Sequence, residues 1–345
     1  MAKPVKVGLI GVGFMGKMHF GVHSASKRAK IVAIADVDQK KLDGDWSSIG
    51  GNIDDASAKK VNLKGIRKYT NAMDLIKDPE VELVDITLPT SMHAKWSLAA
   101  LKAGKHLLCE KPVARTAKEA KKVAAAAKKA KGMMMVAHCI RFWPEYAVTR
   151  QLVKSKKYGK VLSASFRRLS PAPTWGWQNW LMNGRMSGGA LLDLHIHDID
   201  YVQYLFGKPK AVFARGYLSK MSKGGIDHVV ANYVIPGVKQ AMAEGAWGLE
   251  PAFPFEMSFN IVCQKATISF STSSSPMFTV YGPGSKVEHP KVPAGDGYSL
   301  EIDYFLKCIQ TKKKPKVVTV DDALNSVRIA EAEFKSIKTG KIVKL

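Results

Sequence analysis

A chain of 345 residues, 46% of them hydrophobic, is long enough to bury the cores of two ordinary domains, which excludes a small disulfide-stapled scaffold. Its four cysteines, Cys109, Cys139, Cys263 and Cys308, are scattered and read as reduced thiols of a cytoplasmic protein, with no bound metal expected; no stretch reaches the roughly 18–20 apolar residues of a membrane span. The formal net charge of +24 would suit a nucleic acid or an acidic membrane, but no DNA- or RNA-reading motif accompanies it, so neither partner is expected and the charge serves at most to draw anionic ligands.

Short β-branched runs alternate with helical stretches from the start, the pattern of βαβ units and a parallel sheet. Strands are predicted at 5–10, 31–36, 66–69, 83–87, 106–109 and 133–137, and helices at 15–26, 72–76, 92–103 and 117–130. Gly104 and Gly132 follow the last two helices, where C-terminal caps are expected. In 118–131 the alanines supply a packed face and the lysines a solvated one. Residues 1–137 thus read as one doubly wound domain.

Beyond Arg141 the texture changes. A helix is predicted at 145–154, a strand at 161–169 and a helix at 190–205. Alternating runs follow at 211–218, 228–235, 240–245, 256–262, 266–271 and 277–281, then helices at 300–310 and 320–337. Residues 138–345 therefore read as an α+β domain with a large, open, mostly antiparallel sheet. The uncovered face of such a sheet points to a homodimer or homotetramer.

The chemistry starts at Gly11-Val12-Gly13-Phe14-Met15-Gly16, a G-x-G-x-x-G immediately after a strand and opening a helix. Gly11 permits a tight turn, Gly13 lets the main chain approach a pyrophosphate, and Gly16 allows close helix-to-strand packing; the helix N-terminus offers free N–H groups. Asp36, at the end of the second strand, is placed to accept hydrogen bonds from an adenosine ribose and to repel a 2′-phosphate, so NAD is expected over NADP, with Lys40 and Lys41 softening the choice.

Three blocks then carry a resemblance: Pro89-Thr90-Ser91-Met92-His93, Leu107-Leu108-Cys109-Glu110-Lys111-Pro112, and Gly188-Gly189-Ala190-Leu191-Leu192-Asp193-Leu194-His195-Ile196-His197-Asp198. Together with the glycine loop, in this order and spacing, they make the chain resemble the Gfo/Idh/MocA oxidoreductases over nearly its whole length. The resemblance implies a Rossmann domain followed by an open-sheet domain, NAD or NADP, and sugars or cyclitols oxidised or reduced at a carbinol carbon. It also implies that Lys111 is catalytic, that Glu110 lines the nicotinamide side, and that Pro89 and His93 border the cofactor, His93 either there or as a helix cap.

Removing a hydride from a carbinol carbon requires that the hydroxyl lose its proton, a task for a base with a pKa near working pH, and histidine is the natural candidate. Asp193 and His197 lie at i and i+4, which on one helix puts them on one face, with His195 pointing elsewhere. Lys111, just past a parallel strand, can stabilise developing alkoxide charge. Arg141 and Trp177 are the expected substrate contacts, a cation for hydroxyls or a carboxylate and an aromatic face for a sugar ring. The reading is an NAD-linked sugar or inositol dehydrogenase. The alternatives are a redox-neutral NAD-dependent glycosidase or epimerase, and a dinucleotide-dependent sensor without catalysis.

Overall fold

The computed structural model describes residues 3–51, 59–218 and 221–345. The chain forms two compact units. The first comprises Met1–Cys139, Thr174–Trp180 and Tyr298–Leu324, and the second Ile140–Pro173, Leu181–Gly297 and Asn325–Leu345. The first unit thus ends its main run at residue 139, close to the expected 137, but it also takes back two later segments that the sequence reading gave to the second.

In the first unit β1 (Val5–Ile10), α1 (Phe14–Ala25), β2 (Ala29–Ala35), α2 (Gln39–Leu42), β3 (Arg67–Tyr69), α3 (Ala72–Lys77), β4 (Leu83–Ile86), α4 (Thr90–Lys102), β5 (His106–Glu110), α5 (Ala117–Lys129) and β6 (Met134–Ala137) follow in order. The six strands are parallel, in the order β3-β2-β1-β4-β5-β6. That is the Rossmann arrangement, with its switch point between β1 and β4, where ligands of doubly wound sheets bind beyond the carboxyl ends of the strands. β4 is buried at all four positions, as expected of a strand covered by helices on both faces. The late helix Gly297–Thr311 joins this unit through Arg28, which donates to Asp303 and Gln310 at 2.8 Å each. The segment at Trp175 closes on Gly50 so tightly that a Cβ there would sit 2.9 Å from the Trp175 Cβ.

Gly104 adopts the left-handed conformation expected of it. Gly132 does not. A Cβ there would lie 1.9 Å from the Lys105 carbonyl oxygen, so this glycine exists for close main-chain approach and not for capping.

The second unit contains α6 (Pro144–Ser155), β7 (Val161–Pro171), α7 (Gly189–Asp193), α8 (Ile196–Phe206), β8 (Ala211–Leu218), β9 (Ile226–Val234), β10 (Gln240–Leu249), β11 (Glu256–Cys263), β12 (Thr267–Ser271), β13 (Phe278–Tyr281) and β14 (Val287–Glu288). In chain order α9 (Gly297–Thr311), which belongs to the first unit, is followed by α10 (Val320–Thr339), whose part from Asn325 onward belongs to the second, and by β15 (Val343–Lys344). Its nine-stranded sheet runs β14-β13-β12-β11-β7-β10-β9-β8-β15, antiparallel except where β10 pairs with β7. The buried face packs an aromatic cluster in which the Tyr146 ring meets Tyr201 at 4.7 Å and Phe259 at 4.9 Å edge to face. The single helix predicted at 190–205 is broken. The His195 N–H donates to the Ala190 carbonyl, five residues back, at 2.7 Å, so one turn is widened and α8 restarts at Ile196.

Candidate active site

The glycine loop behaves as its residue types require. Gly11 sits at φ +94°, and a Cβ on Gly16 would stand 2.0 Å from the Gly11 carbonyl oxygen. At Gly13 a Cβ would meet nothing within 4 Å, so the main chain there borders open space. α1 starts from Gly13 without a side-chain cap, leaving its first-turn N–H groups for an outside acceptor. Phe14 and Met15 stay half-buried at this mouth, and the Phe14 ring lies so close beneath Gly51 that a Cβ on Gly51 would overlap it. These are the features a pyrophosphate needs, and the loop fits one.

Asp36 is tied to the same loop. Its Oδ2 accepts the Val12 N–H at 2.6 Å and its Oδ1 the Asp38 N–H at 2.9 Å, with the Lys41 ammonium 4.0 Å away. The two amides fix the carboxylate's orientation while each oxygen retains a lone pair for a hydroxyl donor.

At the ends of β4 and β5, Pro89 opens α4 and is half-buried. His93, one turn on, is 1% exposed, with Nδ1 2.7 Å from the Pro112 carbonyl oxygen and Nε2 2.7 Å from that of Leu88. In place of lining a cofactor pocket, the ring faces main chain on both sides. Burial pulls its pKa below the ordinary value, against the pull of the two carbonyls. Glu110 is likewise turned inward: Oε2 accepts the Lys111 N–H at 3.0 Å and Oε1 lies 3.1 Å from His19 Nε2. Lys111 itself is half-buried.

His19, His23 and Asp85 went unnoticed in the sequence. His19 Nδ1 is 2.9 Å from Asp85 Oδ2, and His23 Nε2 is 2.8 Å from the same oxygen, all three residues buried. Desolvation depresses the His19 pKa, but the charge and hydrogen bond of Asp85, then those of Glu110, lift it well above the usual value. With a carboxylate on each nitrogen the ring is an imidazolium. The signals were present: two histidines at i and i+4 on an apolar helix, and an aspartate inside the strand LVDI. Among the described residues, one His/acid group has ligand atoms close enough to share an ion: His19, Glu110 and Glu301, whose atoms lie within 4.8 Å of one another. Both His19 nitrogens already face carboxylates, Asp85 at Nδ1 and Glu110 at Nε2.

In the second unit the third block is organised by burial. From Ser187 to Gln203 every residue is buried except Asp193 and His197. His195 faces inward, its Nε2 3.2 Å from Glu333, as expected of a ring pointing away from the pair. Asp198 pairs with Arg168 through two contacts of 2.9 and 3.1 Å. Asp193 ends α7 and His197 falls in the first turn of α8, so they belong to two helices and not to one face of one helix. Arg141 is also not the exposed cation expected. At 3% exposure it donates to Asp200 from Nε at 2.6 Å and from Nη2 at 2.7 Å, a bidentate pair inside the unit. Trp177, 37% exposed, lies in the segment that returns to the first unit.

Residues 5–138 match the family described as "Oxidoreductase family, NAD-binding Rossmann fold"; 146–269 match the "GFO/IDH/MocA C-terminal domain" and 256–345 the "Oxidoreductase family, C-terminal alpha/beta domain". The chain belongs to the Gfo/Idh/MocA oxidoreductases. Levoglucosan dehydrogenase of Pseudarthrobacter phenanthrenivorans is 32% identical over 61% of this chain and 53% of its own length. Myo-inositol 2-dehydrogenase of Thermotoga maritima is 29% identical over 61% of the chain and 58% of its own. The match thus spans little more than half of each of these relatives. Among solved structures, the WlbA dehydrogenase from Bordetella pertussis, in complex with NADH and UDP-GlcNAcA, shares the fold with a TM-score of 0.81 at 19% identity, over 99% of both chains. In this Gfo/Idh/MocA chain the E-K-P block falls at the carboxyl end of β5, and the GGALLDLHIHDID block spans the break between α7 and α8.

Proposed function

We propose that this oxidoreductase is an NAD-dependent dehydrogenase of a sugar or cyclitol, with His197 as general base, Asp193 orienting it and Lys111 stabilising the reacting oxygen. The observation that carries the reading is the selective accessibility of Asp193 and His197 in a stretch otherwise buried from residue 187 to 203. Neighbouring ionisable groups, His195, Asp198 and Asp200, are fully buried on Glu333, Arg168 and Arg141, whereas Asp193 and His197 keep part of their surface exposed. His197 would take the hydroxyl proton, and the Lys111 ammonium would offset charge growing on the oxygen. The dinucleotide, when bound, supplies the hydride acceptor or donor. Gly11, Gly13, Gly16 and the first turn of α1 would hold its phosphates. Asp36, oriented by the Val12 amide, would hold the ribose and favours NAD. The named relatives that act on an anhydro sugar and on an inositol support the substrate class. The apolar side chains left exposed on the second unit's strands, Tyr217, Val234 and Tyr281 among them, support a homo-oligomer, which light scattering tests.

The test is a spectrophotometric screen for reduced nicotinamide with NAD or NADP against inositols, aldoses, anhydro sugars, glycosides and sugar acids. With a substrate in hand, Lys111→Ala should lower turnover by about 100-fold or more. A parental rate in that variant would reject the catalytic assignment. Silence across the panel, with NAD released on denaturation, would reject net oxidation.

A further inference from the structure

The main chain around Lys111 is gripped from two sides by buried groups. On the amino side, the Lys111 N–H donates to Glu110 Oε2 at 3.0 Å, Glu110 Oε1 faces His19 Nε2 at 3.1 Å, and His19 Nδ1 faces Asp85 at 2.9 Å, where His23 Nε2 also ends at 2.8 Å. On the carboxyl side, the Pro112 carbonyl oxygen lies 2.7 Å from His93 Nδ1, and the other nitrogen of that ring is 2.7 Å from the Leu88 carbonyl. His93 therefore spans the segments that leave β4 and β5, adjacent strands of the parallel sheet.

Satisfying one buried amide and one carbonyl does not require this machinery. A neutral acceptor would serve the Lys111 N–H, whereas a carboxyl side chain at 5% exposure is costly to bury unless partners accompany it. His19 is that partner on the far oxygen, and Asp85, at its opposite nitrogen, lifts the His19 pKa. Two carboxylates and three histidines thus converge, directly or through one another, on a stretch of two residues. We propose that His93, together with the His19–Glu110 pair, positions Lys111, fixing where its side chain leaves the main chain. The proposal rests on the reading of Lys111 as the group that stabilises the reacting oxygen.

A double-substitution cycle on the full chain tests it, using a substrate from the screen. His93→Ala should lower kcat by about 10- to 100-fold, the loss associated with small misplacements of reacting groups, while dinucleotide affinity changes by less than about twofold. In the Lys111→Ala background the same substitution should cost nothing further, because the residue it positions is gone. His93→Gln, whose amide can still reach a carbonyl, should restore part of the rate. A second readout needs no turnover: after isotope-labelled reductive methylation, the amine-methyl resonance of Lys111, assigned by its disappearance in Lys111→Arg, should shift in His93→Ala. If His93→Ala does not fold, His19→Gln enters the same cycle. An equal loss in both backgrounds, or an unchanged rate and resonance in a folded variant, overturns the proposal. A parental rate in Lys111→Ala would overturn the catalytic reading instead, and the resonance would still decide the positioning.

Discussion

Asp85→Asn probes the buried network beneath the site most sharply. The carboxylate is fully buried and meets two imidazole nitrogens, at 2.9 Å from His19 and 2.8 Å from His23. Burial by itself would raise its pKa, but the His19 charge and the two imidazole hydrogen bonds hold it at about 2. Against roughly 3.9 in the unfolded chain, that is roughly 2.6 kcal/mol of stability at neutral pH. Because this pKa is depressed, the contribution is complete above roughly pH 4 and is lost as pH falls toward the folded value. His19 has the opposite sign. Its raised pKa contributes fully below roughly pH 6.5 and the contribution fades as pH climbs through the folded value. Both operate together between roughly pH 4 and 6.5, where Asp85→Asn strips one carboxylate from a buried imidazolium and should destabilise the first unit by about 3–5 kcal/mol. At alkaline pH His19 sheds its proton and the deficit should narrow. Urea unfolding of both proteins across a pH series measures this, read on whichever transition the substitution moves, since two units need not unfold as one. A deficit below about 1 kcal/mol, or one that is flat from acid to alkaline pH, would refute the imidazolium at His19.

Gly16→Ala should abolish dinucleotide binding measured by NADH fluorescence, because its Cβ would stand 2.0 Å from a main-chain oxygen that cannot move without unmaking the loop; retained affinity would remove the loop from the cofactor site. Asp36→Ser should raise the NADP-to-NAD ratio of kcat/KM by about tenfold or more, since it lifts the repulsion of a 2′-phosphate, while also loosening the Val12 amide. Phe259→Ala, at 1% exposure and 5.4 Å from the Phe270 ring, should cost about 3–5 kcal/mol in the second unit, read by calorimetry.

What the sequence revealed was local and periodic. The strand–glycine loop–helix signature fixed the cofactor end because each step depends on residues close in the chain, and the six strands and their flanking helices fall within a few residues of expectation. What it hid was long-range. The Arg141–Asp200 pair joins residues 59 apart, His19 reaches Glu110 across 91, and neither register is visible in any local pattern. For the same reason Arg141 read as a substrate contact: a basic residue beside aromatics looks available until the carboxylate that holds it is known. The return of 298–324 to the first unit was equally invisible, since an amphipathic helix declares that it has a face and not what covers it.

The break between α7 and α8 lies among residues held by the same kind of long-range partner. Within thirteen residues, Gly188 to Asp200, the chain places three ionisable side chains on separate buried partners, His195 on Glu333, Asp198 on Arg168 and Asp200 on Arg141. α8 is itself buried around most of its circumference, with Asp198 and Asp200 about 200° apart on it, so it is an enclosed helix and not a one-faced one. The widened turn that ends at His195 shifts the phase between Asp193 and the residues of α8. Only two side chains of the block are left half-buried, Asp193 before the break and His197 after it. A straight helix would have put the two on one face, and the widened turn places them on two helices instead. The irregularity therefore separates one half-buried acid and one half-buried imidazole within a run whose other ionisable members, His195, Asp198 and Asp200, are fully buried on long-range partners.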